Sequence, residues 1–144
     1  MTIRFEFDAV NRILLARIDG RLTEEGLADL CRAIRRYSVV THARSAIFDF
    51  TSVIKFDISS EFIRQLSRRE PAMLSVQEKP SVVIAPQTHA FGLARMFQIL
   101  SEQTRPLFNV VRRMDEALGV LRAEAPEFKP VKLAQLNNSG EVAS

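Results

Sequence analysis

The chain has 144 residues, 47% hydrophobic and 26% charged, with a formal net charge of +3. This length suits one domain with a real core, and no apolar run is long enough to span a bilayer. Its one cysteine, Cys31, excludes an internal disulfide and fits a reducing, cytoplasmic compartment.

Ile3, Phe5 and Phe7 alternate with Arg4 and Glu6, the period of a strand with one wet face. This charged alternation does not read as a signal peptide. A turn over 8–11 and a more buried strand over 12–18 complete an antiparallel hairpin, which Gly20 ends. Thr23 is placed to cap helix 1, with Glu24 and Glu25 at the positive end of its dipole. Leu27, Leu30, Cys31 and Ile34 then recur at helical spacing as its buried stripe. A central strand is expected over 46–50, and helix 2 begins near Ser59 or Ser60, with Phe62, Ile63 and Leu66 inward and Pro71 at its end. Pro80 and Pro86 bracket a strand over 81–85. Helix 3 covers about 88–103, a last strand covers 107–111, and Asp115 can cap a short helix 4.

The order ββαβαβαβα predicts an α/β domain over 1–123. Its mixed sheet has five strands, an N-terminal antiparallel hairpin followed by βα units, and it carries about four helices. Strands separated by single helices are expected to run parallel, with right-handed crossovers; pattern alone leaves the strand order open. Beyond Ala123 the periodicity stops, and 124–144 reads as a flexible tail.

Several chemistries are missing. The five glycines are scattered, so neither a phosphate loop nor a dinucleotide fingerprint is present. The two histidines, His42 and His89, fall in different loops, which leaves no metal-ligand cluster, and no G-x-S-x-G elbow occurs. Arg32, Arg35 and Arg36, like Arg64, Arg68 and Arg69, read as solvated helix faces with Asp29 and Glu61 beside them. They lack the interleaved aromatics of a nucleic-acid surface. No cofactor, metal, nucleic acid or catalytic constellation is expected.

The segment DFTSVIKFDISS at 49–60 carries the candidate site: Asp49, Asp57, Ser59 and Ser60. Asp49 and Asp57 could pair as acid and base; the commoner role is that Asp49 turns the chain and Asp57 caps helix 2. Ser59 and Ser60 read as caps and, without contradiction, as phosphoacceptors at a helix N-terminus. His89 reads as an exposed residue of the first turn of helix 3 or as a ligand-contacting imidazole. Helix 3 has an apolar arc of about 220°, wider than one core-facing stripe needs. Phe91, Met96 and Ile99 mark this surface as covered by neighbouring helices, by a second copy of the chain or by a small apolar ligand.

Three segments, GRLTEE at 20–25, DFTSVIKFDISS at 49–60 and APQTHAFGLARMFQ at 85–98, together with DEAL at 115–118, resemble the SpoIIAA-like group. That group is classed with the STAS domains of anti-sigma factor antagonists and with lipid-binding CRAL-TRIO domains. The resemblance covers roughly 3–122 and implies a STAS-like fold. In STAS antagonists the motif D-S-S-G places a phosphorylated serine at a helix start. Here Ile58 separates Asp57 from Ser59, and Glu61 stands where glycine is expected. The resemblance therefore implies a non-enzymatic regulatory module in the cytoplasm of a bacterium. It would bind a protein partner around 57–60, with Ser59 matching the phosphoacceptor; self-association through helix 3 is expected separately, from the width of that helix's apolar arc. The alternative is a carrier or sensor of a small hydrophobic, lipid-like ligand, held among Phe50, Phe56, Phe62 and Phe91.

Overall fold

The computed structural model describes residues 1–69 and 79–131. The chain begins with β1 (Thr2–Asp8) and β2 (Ile13–Thr23), which pair antiparallel from Thr2↔Asp19 to Asp8↔Ile13. Asp8 closes their turn, its carboxylate accepting the Val10 N–H and the Asn11 side-chain amide. α1 (Glu24–Thr41) follows, then β3 (Ser45–Asp57), α2 (Ser60–Arg68), β4 (Ser81–Ile84), α3 (Thr88–Leu100), β5 (Phe108–Val111), α4 (Met114–Val120) and β6 (Lys129–Pro130). The expected Pro71 boundary lies outside the described residues, as do residues 132–144. Among the described residues no helix is long and apolar enough to cross a membrane.

The sheet order is β5-β4-β3-β2-β1-β6, with β2 to β5 mutually parallel. Each crossover from β2 onward moves one strand in the same direction. Right-handed connections that step the same way place their helices on the same face. α1, α2 and α3 accordingly share one face, over Leu14, Ala16, Ile18, Phe48, Phe50 and Val83. α4 covers the other, against Ile13, Leu15, Ile47, Val82 and Ile84. The alternation of these residues along β2, β3 and β4 is the period of two that separates the faces of a strand.

Four expectations need correction. The sheet has six strands and not five, because Lys129 and Pro130 pair with Phe7 and Glu6 at the edge of β1. Two residues, one of them a proline, carry no periodic signal from which a strand could be read. Gly20 does not end β2: it sits within it at φ +90, where the ladder with β3 shifts register, so the strand bends and continues to Thr23. β3 likewise runs on past Phe50 to Asp57, paired with β2 to its end. Finally, Asp115 does not cap α4. Arg113 occupies the cap position without a side-chain hydrogen bond, and the Asp115 carboxylate bonds the Arg113 guanidinium at 3.0 Å.

Candidate functional site

Because β2 and β3 run parallel and stay paired to Thr23↔Asp57, the two helices that follow them begin side by side. Thr23 caps α1, its hydroxyl accepting the Gly26 N–H, as its sequence position predicts. Ser59 caps α2, its Oγ accepting the Phe62 N–H at 3.1 Å. Glu24, the first residue of α1, reaches across: one carboxylate oxygen accepts both the Ser59 N–H and the Ser59 hydroxyl, each at 2.8 Å. These bonds, from the backbone and then from the hydroxyl, hold the Glu24 carboxyl below its usual range. Ser59, Ser60 and Glu61 are all exposed, and Glu61 bonds Arg64 on the same helix at 3.3 Å.

The two aspartates do not meet. They lie eight positions apart on one strand, roughly 26 Å at 3.3 Å per residue. Asp49 is buried within β3 and does not turn the chain. Its carboxylate pairs with Arg17 on β2 at 3.1 Å, and Arg17 in turn bonds Glu6 on β1 at 2.9 Å. The other Asp49 oxygen accepts the Thr51 N–H at 3.0 Å. Asp57 is the last residue of β3 and caps nothing; it bonds Arg21 across the ladder, with Lys55 at 3.8 Å. A paired-carboxylate site is thereby overturned. Both aspartates serve the strand pairing that sets Ser59 beside Glu24.

Beyond Ile84 the β4 ladder stops while β3 continues, and a side chain takes its place. Gln87, at the start of α3, directs its Nε2 to the carbonyls of Val53 at 3.0 Å and Phe50 at 3.3 Å. His89, two residues on, is exposed.

The wide apolar arc of α3 is largely covered from within. Ala90 and Phe97 are buried, while Phe91, Leu93, Ala94 and Met96 pack against the core they share with α2. Arg112 stacks its guanidinium 4.0 Å from the Phe91 ring centre. Ile99 and Leu100 remain in solvent, 60% and 49% exposed.

Under α2 and α3 lies an apolar cavity of about 90 Å³, lined by residues including Phe48, Phe50, Phe56, Leu66, Phe97 and Phe108. Phe50 and Phe56 line it as the ligand reading expects, and they meet edge to face at 5.7 Å. Phe62 and Phe91 do not; they lie under Arg69 and Arg112. Cys31 and Arg105 also border the cavity. Burial pushes the Cys31 thiol up to about 12, against the pull of Arg105, Arg69 and Arg32. Burial lowers the pKa of the Arg105 guanidinium. Among the described residues no group of three or more His, Cys, Asp or Glu is arranged to hold a metal ion.

Sequence reasoning missed three of these residues. Glu24 carried a helix-dipole signal only, and its link to Ser59 depends on strand register. Arg17 gave no sign of its carboxylate partners on neighbouring strands. Arg105, between Thr104 and Pro106, had the pattern of a surface loop.

No family model matches the sequence, and no curated protein matches it either. Among solved structures the chain is similar to the anti-sigma factor antagonist SpoIIAA in its unphosphorylated form, at 14% identity and a TM-score of 0.49, over 85% of this chain and 100% of that one. It is also similar to the Bacillus cell fate determinant SpoIIAA in the phosphorylated form, at 18% identity and a TM-score of 0.47, over 82% of this chain and 97% of that one.

Proposed function

We propose that this chain is a non-enzymatic, cytoplasmic regulatory module of the STAS-like type, which binds a protein partner through the surface around Asp57, Ser59 and Ser60. The observation that carries this reading is the exposed Ser59 hydroxyl, shared between the cap of α2 and the carboxylate of Glu24. A phosphoryl group on Oγ removes the proton that Glu24 accepts and sets two anions against each other. The helix N-terminus favours the added charge while Glu24 and Glu61 oppose it. One modification thus changes both the charge of the surface and the link between two helices. The same geometry speaks against hydrolytic chemistry. A carboxyl with a lowered pKa is a weak base, and an unactivated serine is a poor nucleophile.

The test is quantitative capture of partners from extract of the protein's own cell, using the wild-type chain and Ser59→Asp. A partner retained by the wild type and lost by Ser59→Asp, with the fold intact by circular dichroism, is the expected result. Equal capture by both removes Ser59 as the switch. Self-association, if it accompanies this role, falls to the exposed end of α3 at Ile99 and Leu100.

A second reading, a carrier or sensor of a small apolar ligand, is supported by the cavity under α2 and α3. Its volume of about 90 Å³ lies well under the roughly 300 Å³ at which pockets for drug-sized molecules begin. The ligand in this reading is therefore smaller than a lipid.

A further inference from the structure

Arg105 is 7% exposed and borders a cavity whose other walls are almost wholly apolar. Its hydrogen bonds are few and long: Nη2 to the Arg69 carbonyl at 3.2 Å, Nη1 to the Thr104 hydroxyl at 3.4 Å and to the Ser67 carbonyl at 3.5 Å. Nε is buried and has no partner. A guanidinium offers five donors in a fixed fork, and among the described residues no carboxylate meets this one. The guanidinium carbon lies 5.2 Å from the ring centre of Phe97, itself a cavity wall. Lys79, which also borders the cavity, donates to the Ala43 carbonyl at 2.9 Å. Among the described residues two cations thus line this space, and no aspartate or glutamate does. A buried charge left without a counter-ion is costly, and an anion that enters with its own apolar tail answers both features of the cavity.

We propose that the cavity binds a short-chain carboxylate, its carboxyl group on Arg105 and its hydrocarbon end among Leu66, Val83, Phe97 and Phe108. The inference rests on the ligand reading above and names the chemical class of that ligand. A carboxylate suits the site better than a phosphate: the unpartnered Nε and the neighbouring Nη2, held only by a long bond to the Arg69 carbonyl, form a two-pronged donor, and a carboxylate has two oxygens to match it. Size follows from volume. An engineered cavity of about 150 Å³ accepts the six heavy atoms of benzene, so about 90 Å³ leaves room for roughly four, the carbon chain of a short carboxylate whose oxygens lie against Arg105 at the wall.

The experiment is a titration of the isotope-labelled full chain with butyrate, butan-1-ol and inorganic phosphate, followed by nuclear magnetic resonance. Butyrate is expected to shift the Arg105 Nε–H signal and the Leu66 and Val83 methyls together and saturably. Its half-saturation should lie roughly tenfold below that of butan-1-ol, reflecting a charge-assisted contact. Arg105→Met should erase the difference while keeping butan-1-ol binding; should that variant not fold, the wild-type comparison of the two ligands decides alone. Equal half-saturation by butyrate and butan-1-ol overturns the carboxylate assignment and leaves an apolar ligand site standing. Phosphate that shifts Arg105 without the methyls overturns it in favour of a bare anion site. No saturable shift from any of the three overturns both the inference and the ligand reading.

Discussion

A single carboxylate oxygen of Glu24 accepts two hydrogen bonds from Ser59, one from its backbone N–H and one from its hydroxyl, both at 2.8 Å. The start of α1 and the start of α2 are thereby tied together at the end of a parallel strand pair. Ser59→Ala keeps one of these bonds and loses the other, and it loses the cap on Phe62. The loss of the cap costs about 1 kcal/mol, readable as a lower urea midpoint with an unchanged slope.

The same tie has a pH signature. Glu24 titrates below its usual value in the folded chain, so the unfolded chain takes up the proton first as acid is added. Stability from this group is present above about pH 4.3 and is lost as pH falls through the lower folded value. Glu24→Gln should therefore narrow the fall in urea midpoint between pH 6 and pH 3. Asp115, whose carboxyl is also held low, by Arg113, is common to both chains and cancels. An acid response in Glu24→Gln as steep as in wild type would show that the tie does not form in solution.

Cys31 behaves in the opposite sense. Its thiol is 2% exposed and is pushed up to about 12. The folded protein should resist alkylation by iodoacetamide at pH 8, and the urea-unfolded chain should react readily. The unfolded thiol gives up its proton above about pH 8.5 and the folded one does not, so stability falls as pH rises past that point. Rapid labelling of the native protein would place Cys31 at an opening to solvent.

Gln87 stands in for a strand. Its amide takes the Phe50 and Val53 carbonyls where β4 has ended. Gln87→Ala leaves these acceptors unmet, at a cost of about 1–3 kcal/mol. Hydrogen exchange is expected to quicken over 50–54 and to stay unchanged in α1. A uniform acceleration across the chain would mean that the amide supports the whole fold and not this segment.

On α3 the exposed and covered apolar residues separate cleanly. Met96 packs into the core, so Met96→Glu should destabilise the monomer whatever its oligomeric state. Ile99→Glu should leave stability within about 0.5 kcal/mol, because Ile99 is 60% exposed. If copies of the chain associate through α3, Ile99→Glu is the variant that separates them in light scattering. A dimer that survives it uses another surface.

The elements whose signal is periodic were legible from sequence. The hairpin, the Thr23 cap, the stripe of α1 and the parallel βα units follow from alternation and spacing, which are local. The misread positions depend on partners far along the chain. Gly20 looks like a stop until β3 is present to hold β2 through the bend. Asp49 looks like a turn residue until Arg17 lies beside it. Ser59 was found, since a capping hydroxyl before an amphipathic run is a local signal; its carboxylate partner was not, because strand register is not written in either helix.

The β1–β6 contact is of a different kind from the rest of the sheet. Only Glu6↔Pro130 and Phe7↔Lys129 are in register there, reinforced by the Val131 N–H to the Phe5 carbonyl at 2.8 Å. Every other neighbouring pair of strands is consecutive in chain order, so it closes a shorter loop. This one joins the two ends of the described chain, and the entropy of closing a loop rises with its length. In refolding, the β2-to-β5 ladder can form step by step while the sixth strand waits for β1 to be in place. In the native state that strand should open first and most often, exposing the backbone edge of β1 and loosening Val131 and Phe128 at the margins of the two cores.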